Sequence, residues 1–271
     1  MPLIKNRKEY DATVALNYSG AKELLKSPLH YKTYLEAARE ETKALRMGSL
    51  THALVLECES VPERFTKAPD DIDRRTKAGK EAYEIFMAAA AGRTILSADE
   101  WEVCYSVADS MREARAALGL TYIATELHIT VDYNGVPLKA AIDGVATDKA
   151  GNIWLVDLKT CEDASARGFL GNVRSYKYAL QNYLYRLVYE IYSGKRIAGF
   201  VFIAAEKTAP FAWAAYNLGP ELMSYAVADF EEAFTKYKAA TTLGVWTGYP
   251  SEMQTLDTAA KTTATTPINF A

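Results

Sequence analysis

The segment VPLKAAIDGVATDKAGNIWLVDLKT, residues 136–160, decides the fold. Its apolar runs, 136–147 and 153–160, flank Asp148-Lys149-Ala150-Gly151-Asn152, a cluster of turn formers that predicts a tight connection between two strands. Just upstream, residues 123–132 (IATELHITVD) form another strand-like run, joined to the first by Tyr133-Asn134-Gly135. Asn-Gly tolerates the positive φ angles that a two-residue hairpin needs. Three strands on tight turns predict an antiparallel meander.

Working outward, a long helix over roughly 173–193 ends at Ser193-Gly194, where glycine suits the left-handed position past a helix terminus. Strands at 197–205 and 211–217 follow, and a last helix opens at Gly219-Pro220 and runs to about residue 243. A crossover helix returns the chain parallel and right-handed. The predicted fold class is therefore α/β, a mixed central sheet flanked by helices. The chain before residue 120 reads as a helical block. A short helix follows Ser19 and stops before Pro28, and a second spans 31–45. A third covers 49–57, and a fourth runs over 80–91 after the loop DDIDRRTKAG. Ser97 with Glu100 forms a capping box for a fifth, over 100–118. Residues 1–250 read as one domain, with a helical part (1–120) and a core (121–250). The Thr- and Ala-rich stretch at 251–271 reads as a flexible tail.

Composition narrows the function classes. The 271 residues are 49% hydrophobic and 24% charged, a globular profile, and 31 Lys+Arg against 34 Asp+Glu give a net charge of −3. Any binding of nucleic acid must then use a local basic surface. Cys58, Cys104 and Cys161 are widely spaced and have only His30, His52 and His128 beside them, which argues against a zinc site or a disulfide framework. No run approaches the ~18 apolar residues of a membrane span, and the first residues hold no signal-peptide apolar block. A soluble, cytoplasmic protein is expected.

Chemistry concentrates on the strand 153–160. Asp157 and Lys159 interrupt an apolar run, and side-chain alternation points them to the same face. Burying charges there is costly unless they are paired or bind something. Asp143 breaks the preceding strand, and the intervening hairpin can bring the two carboxylates together. Two close carboxylates repel unless a cation sits between them, and a hard divalent ion, Mg²⁺ above all, suits oxygen ligands. With a lysine alongside, these are the parts of metal-assisted phosphodiester hydrolysis. A structural Asp–Lys pair at a strand end also satisfies the tripeptide taken alone.

Further residues join the set. Gln181 and Tyr185 lie at i and i+4, on one face of the following helix. His52 sits in the helix after Gly48-Ser49, and Glu126 interrupts the first strand. In order, G-S-x-x-H-A-L, then E, I-D-G, D-L-K-T and Q-x-x-x-Y resemble the PD-(D/E)XK nucleases of the RecB/RecE type, and most nearly the RecE-like (exonuclease VIII) nuclease domains of phages and prophages. Asn17-Tyr18-Ser19, Ser27-Pro28 and residues 75–80 (RTKAGK) add to a likeness covering roughly 15–250.

That resemblance implies a restriction-endonuclease-like core in which Asp143 and Asp157 hold the metal and Lys159 assists the attacking water. It implies that His52 contributes to metal binding, that Glu126 reaches a second ion, and that Gln181 and Tyr185 support the site or contact DNA. Imidazole suits Mn²⁺ better than Mg²⁺, so Mn²⁺ is a plausible substitute. Arg74, Arg75, Lys77 and Lys80 form the densest basic cluster, beside Asp70, Asp71 and Asp73. They are expected to contact duplex phosphates, although a solvated loop accounts for them equally well. The implied activity is a Mg²⁺-dependent 5′→3′ exonuclease on linear double-stranded DNA that leaves 3′ overhangs for recombination. The implied partners are DNA ends, a RecT-like annealing protein and further copies in a ring, a tetramer favoured, with no membrane involved. The alternatives are an endonuclease or single-strand nuclease of the RecB or Cas4 type, and a non-catalytic DNA-binding protein on the same fold.

Overall fold

A computed structural model describes Ile4 and residues 7–37 and 41–254. The chain begins with α1 (Arg7–Ala12), α2 (Tyr18–Lys26), α3 (Pro28–Glu36) and α4 (Lys43–Leu56). A 3₁₀ turn (Cys58–Ser60) and α5 (Val61–Arg64) lead to β1 (Phe65–Lys67), α6 (Lys77–Ala89), β2 (Thr94–Leu96) and α7 (Ala98–Ala117). The meander follows as β3 (Thr121–Tyr133), β4 (Val136–Thr147) and β5 (Ile153–Cys161). After it come α8 (Ala166–Tyr176), α9 (Tyr178–Ser193), β6 (Gly199–Glu206), β7 (Trp213–Tyr216) and α10 (Pro220–Leu243).

The main sheet has the order β3-β4-β5-β6-β7. Its pairs are antiparallel except β5 and β6, which run parallel because α8 and α9 carry the chain across. The mixed sheet expected from the sequence is thus present. Asn134 (φ 52°) and Gly135 (φ 79°) make the β3–β4 turn, and Asp132 accepts a hydrogen bond from the Gly135 N–H at 3.1 Å. Alternation along β5 and β6 builds two cores. Leu155, Phe200 and Phe202 pack on one face with Leu180, Leu184 and Val188 of α9 and Phe230 of α10. Val156, Leu158, Val201 and Ile203 pack on the other with Val107, Met111 and Ala114 of α7. Each such buried Val, Leu, Ile, Met or Phe side chain contributes about 1.5–3 kcal/mol. Asp157 and Lys159, in phase with Leu155, therefore face α9.

Four local expectations need correction. The first helix is capped by Asn17, whose side chain accepts from the Gly20 N–H at 2.8 Å, so it starts at Tyr18, ahead of Ser19. The helix expected over 31–45 does not run through: α3 ends at Glu36, and Thr42 caps a separate α4 by accepting from the Leu45 N–H. Residues 43–45 thus join the helix expected at 49–57, because a local threonine cap competes with continuation. The helix expected over 173–193 is two helices, broken where Lys177 takes the left-handed conformation (φ 60°). The short parallel pair β1 and β2 was not expected at all. The capping box at Ser97 and Glu100 and the termini at Gly194 and Pro220 stand as read. Most of the tail expected at 251–271, from residue 255 on, lies outside the described residues. Among the described residues no helix is long and apolar enough to cross a membrane.

Candidate active site

The β4–β5 ladder ends at Gly144↔Val156, while β5 goes on pairing with β6 to Cys161. β4 and β5 therefore part company at Asp143 and Asp157, opening a fork at one edge of the meander. Asp143 Oδ2 accepts from the Leu158 N–H at 2.8 Å, so a side chain takes the place of the next ladder bond. On the other side of β4, Thr125 pairs with Gly144 and Leu127 with Ile142, which sets Glu126 opposite Asp143. Glu126 holds φ 47°, a strained conformation for a strand residue, and such outliers concentrate at functional sites.

His52 reaches the fork from α4, which packs on α7 through Leu50, Ala53, Leu54, Cys104 and Ala108. Its Nε2 lies 3.1 Å from the Leu158 carbonyl, and its Nδ1 lies 3.6 Å from Asp143 Oδ2. A carbonyl only accepts, so Nε2 carries the proton and Nδ1 offers its lone pair toward the carboxylates. An imidazole fixed by its far nitrogen on a backbone carbonyl has the usual orientation of a metal ligand. Ligand atoms of His52, Glu126 and Asp143 all lie within 4.8 Å of one another. Two carboxylates and one imidazole fit a divalent ion such as Mn²⁺ or Mg²⁺. Burial, then the nearby Asp143 and Glu57, push the Glu126 carboxyl up to about 8, a charge conflict that a bound cation relieves.

Asp157 is 1% exposed. Lys159 Nζ lies 2.5 Å from its Oδ2, and Gln181 Nε2 donates to its Oδ1 at 2.5 Å. Burial pushes the Asp157 carboxyl up to about 6 against the opposing pull of Lys159. Burial alone would lower the Lys159 ammonium, but Asp157 and Asp143 outweigh it and hold it above the usual lysine range. Tyr185, one turn beyond Gln181, is buried, and burial keeps its hydroxyl neutral. His52, Glu126, Asp143, Lys159 and Tyr185 all line one cleft of about 910 Å³. Asp157 lies just beneath it and is held there by Gln181.

Arg74, Arg75, Lys77 and Lys80 are not among the residues lining this cleft. They are exposed on the loop before α6 and on its first turn. Arg75 is paired with Asp73 at 2.9 Å, and the Arg74 guanidinium sits 4.6 Å above the Tyr83 ring. Two cations that sequence reasoning passed over do line the cleft: Arg7, paired with Asp11, and Arg64, paired with Glu57 at 2.9 Å. Tyr18, His128 and Tyr178 line it as well. Of these only Tyr18 fell within a quoted motif, Asn17-Tyr18-Ser19, and nothing local placed any of them at the cleft, because the helices and strands that carry them meet only in the folded chain.

Gly144 has a separate reason to be glycine. A Cβ there would lie 2.4 Å from Cε1 of Tyr122, whose ring covers the position and stacks under Arg115. Gly144→Ala is expected to displace Tyr122 and cost about 1–3 kcal/mol, as overpacking does, measured as a lower urea midpoint. An unchanged midpoint would show that the ring yields freely.

Residues 17–258 match the family described as a PDDEXK-like domain of unknown function (DUF3799). The chain belongs to this family. A crystal structure of a protein from Eubacterium rectale, provisionally described as an exonuclease, is similar to this PDDEXK-like domain. The TM-score is 0.59 at 14% identity, covering 85% of this chain and 82% of that one. A phage-related exonuclease from Haemophilus somnus 129PT also aligns, at 10% identity and TM-score 0.34, over 70% of this chain and 96% of that one. No curated protein matches. The fold is that of the PD-(D/E)XK nucleases, whose members typically depend on a divalent metal, and His52, Glu126 and Asp143 of this PDDEXK-like domain form a possible site for one.

Proposed function

We propose that this PDDEXK-like domain is a Mg²⁺-dependent 5′→3′ exonuclease that degrades linear double-stranded DNA and leaves 3′ single strands for recombination by annealing. The observation that carries the proposal is the convergence of His52, Glu126 and Asp143 within 4.8 Å at the sheet fork, beside the buried Asp157–Lys159 pair. His52, Asp143 and Asp157 would hold the ion, with Glu126 directly or through water. When bound, the ion supplies Lewis-acid polarisation of a phosphate and a more acidic water. Lys159 orients the attacking water and offers positive charge to the phosphate. Gln181 keeps Asp157 turned toward Lys159, and Tyr185 buttresses that arrangement. Arg7 and Arg64 flank the carboxylates at the cleft wall, where the backbone of the bound strand would run. Arg74, Arg75, Lys77 and Lys80 contact phosphates farther along the duplex.

The same proposal extends to assembly and setting. Copies of the chain form a ring, a tetramer by preference, around the duplex and hand the 3′ strand to a RecT-like annealing protein in the cytoplasm of a phage- or prophage-bearing host. A ring reconciles a net charge of −3 with DNA binding by confining positive charge to its channel.

The test compares a 5′-phosphorylated linear duplex with a covalently closed circle, each with Mg²⁺, with Mn²⁺ and with chelator. Digestion of the linear form alone, only with metal, and release of 5′ mononucleotides is expected. Cutting of the closed circle would replace the exonuclease with an endonuclease. Ordinary duplex binding with no cleavage in either metal would mark a non-catalytic binding protein.

A further inference from the structure

Lys159 has a second neighbour besides Asp157. Its Nζ lies 4.7 Å from the centroid of the Tyr178 ring and 5.9 Å from that of Phe202. These two rings stack on each other, 5.6 Å apart at 25°. Tyr178 is held in turn by Tyr176 (5.5 Å, 24°) and Phe169 (6.0 Å, 35°). The ammonium is thus confined between a carboxylate on one side and aromatic faces on the other. A cation over a ring face is attracted by the ring's quadrupole, the more so when water is excluded.

The helix break makes this possible. Lys177, left-handed at φ 60°, separates α8 from α9 and makes Tyr178 the first residue of α9. The break is fastened at two points: the Tyr18 hydroxyl donates to the Tyr176 carbonyl, and Lys177 Nζ reaches Asp229 at 3.1 Å. A non-glycine residue in that conformation carries strain, which persists only where surrounding contacts impose it. Restarting the helix here places Tyr178, Gln181 and Tyr185 at i, i+3 and i+7, on one face. That face meets β5 with Tyr178 on Lys159 and Gln181 on Asp157.

We propose that Tyr178, backed by Phe202, is a positioning residue that holds the Lys159 ammonium in place against Asp157, so that α9 clamps both members of the pair. The proposal rests on the role assigned to Lys159 above, but the contact can be measured without any cleavage.

In metal-free protein with ¹³C-labelled lysine, the Cε methylene signal of Lys159, identified by its disappearance in Lys159→Arg, is expected well upfield of the other lysines. The ring current of Tyr178 is the cause. Tyr178→Phe keeps the ring and should keep the shift, with kcat within about twofold of the wild type. Tyr178→Leu, and Tyr178→Met as a second variant that fills the space without a ring, should return most of the shift. They should also lower kcat about tenfold with KM unchanged. An ordinary Lys159 signal in the wild type, or one that Tyr178→Leu and Tyr178→Met leave upfield, overturns the proposal. So does a Tyr178→Phe variant as impaired as Tyr178→Leu, since the hydroxyl and not the ring would then matter. An upfield signal in a wild type that cleaves nothing would leave the clamp standing and sink the nuclease assignment instead.

Discussion

Asp157→Asn is expected to slow digestion of linear duplex at least about a thousandfold, a loss of about 4 kcal/mol in transition-state stabilisation. The substitution preserves size and still offers an oxygen to Gln181, so the 2.5 Å contact from Gln181 Nε2 need not be lost. What disappears is the negative charge that faces Lys159 and would share the cation. A variant that digests as fast as the wild type would remove Asp157 from the site. Loss of activity alone, however, does not separate chemistry from folding. Removing one member of a buried ion pair strands the other, which costs about 3–5 kcal/mol in the general case. Asp143 remains near Lys159 and should reduce that cost.

The second substitution resolves the ambiguity. Lys159→Met added to Asp157→Asn removes the stranded charge and leaves a neutral pair lined by Tyr178 and Phe202, where a thioether packs well. The double variant should recover much of the urea midpoint lost by Asp157→Asn and none of the cleavage. If activity returned with stability, Asp157 and Lys159 would be a structural pair, the reading that the tripeptide D-x-K admits by itself.

What the sequence made legible follows a physical rule. Features set by near neighbours were readable: the Asn134-Gly135 hairpin, the Ser97–Glu100 capping box, and the common facing of Asp157 and Lys159 by strand alternation. The fork itself was half readable, because the hairpin joining Asp143 to Asp157 has a countable length and the register follows from it. The break at Lys177 was not readable. No glycine or proline marks it, and its left-handed residue is held by Tyr18 and Asp229, far away in the chain. Arg7 and Arg64 were missed for the same reason, since nothing in α1 or α5 indicates that each brings a cation to the wall of the cleft. The tautomer of His52 also needed the fold, because the Leu158 carbonyl that sets it lies 106 residues away.

The metal-free protein is expected to lose thermal stability as pH rises from about 4 to 8, and added divalent ion should restore it at the upper end. In the folded chain the Asp157 carboxyl is raised from an ordinary 3.8 to about 6, and Glu126 from 4.5 to about 8. Between each pair of values the native state keeps a proton that the unfolded state has released, so stability falls with rising pH. The contribution is whole below the ordinary values and gone above the raised ones. His128 works in the opposite sense, because burial holds its imidazole below the usual range and so destabilises the fold on acidification. The informative quantity is therefore the difference between wild type and Glu126→Gln. That difference should grow in the variant's favour from pH 5 to pH 8, at about 2–4 °C in Tm for each kcal/mol in a chain of this size. Mn²⁺ or Mg²⁺ should raise the wild-type Tm at pH 8 and have little effect at pH 5, since binding requires the deprotonated carboxylates. Glu126→Gln should blunt that rise. Parallel Tm curves for the two proteins, with and without metal, would place Glu126 outside the cation site and leave His52, Asp143 and Asp157 to hold an ion alone.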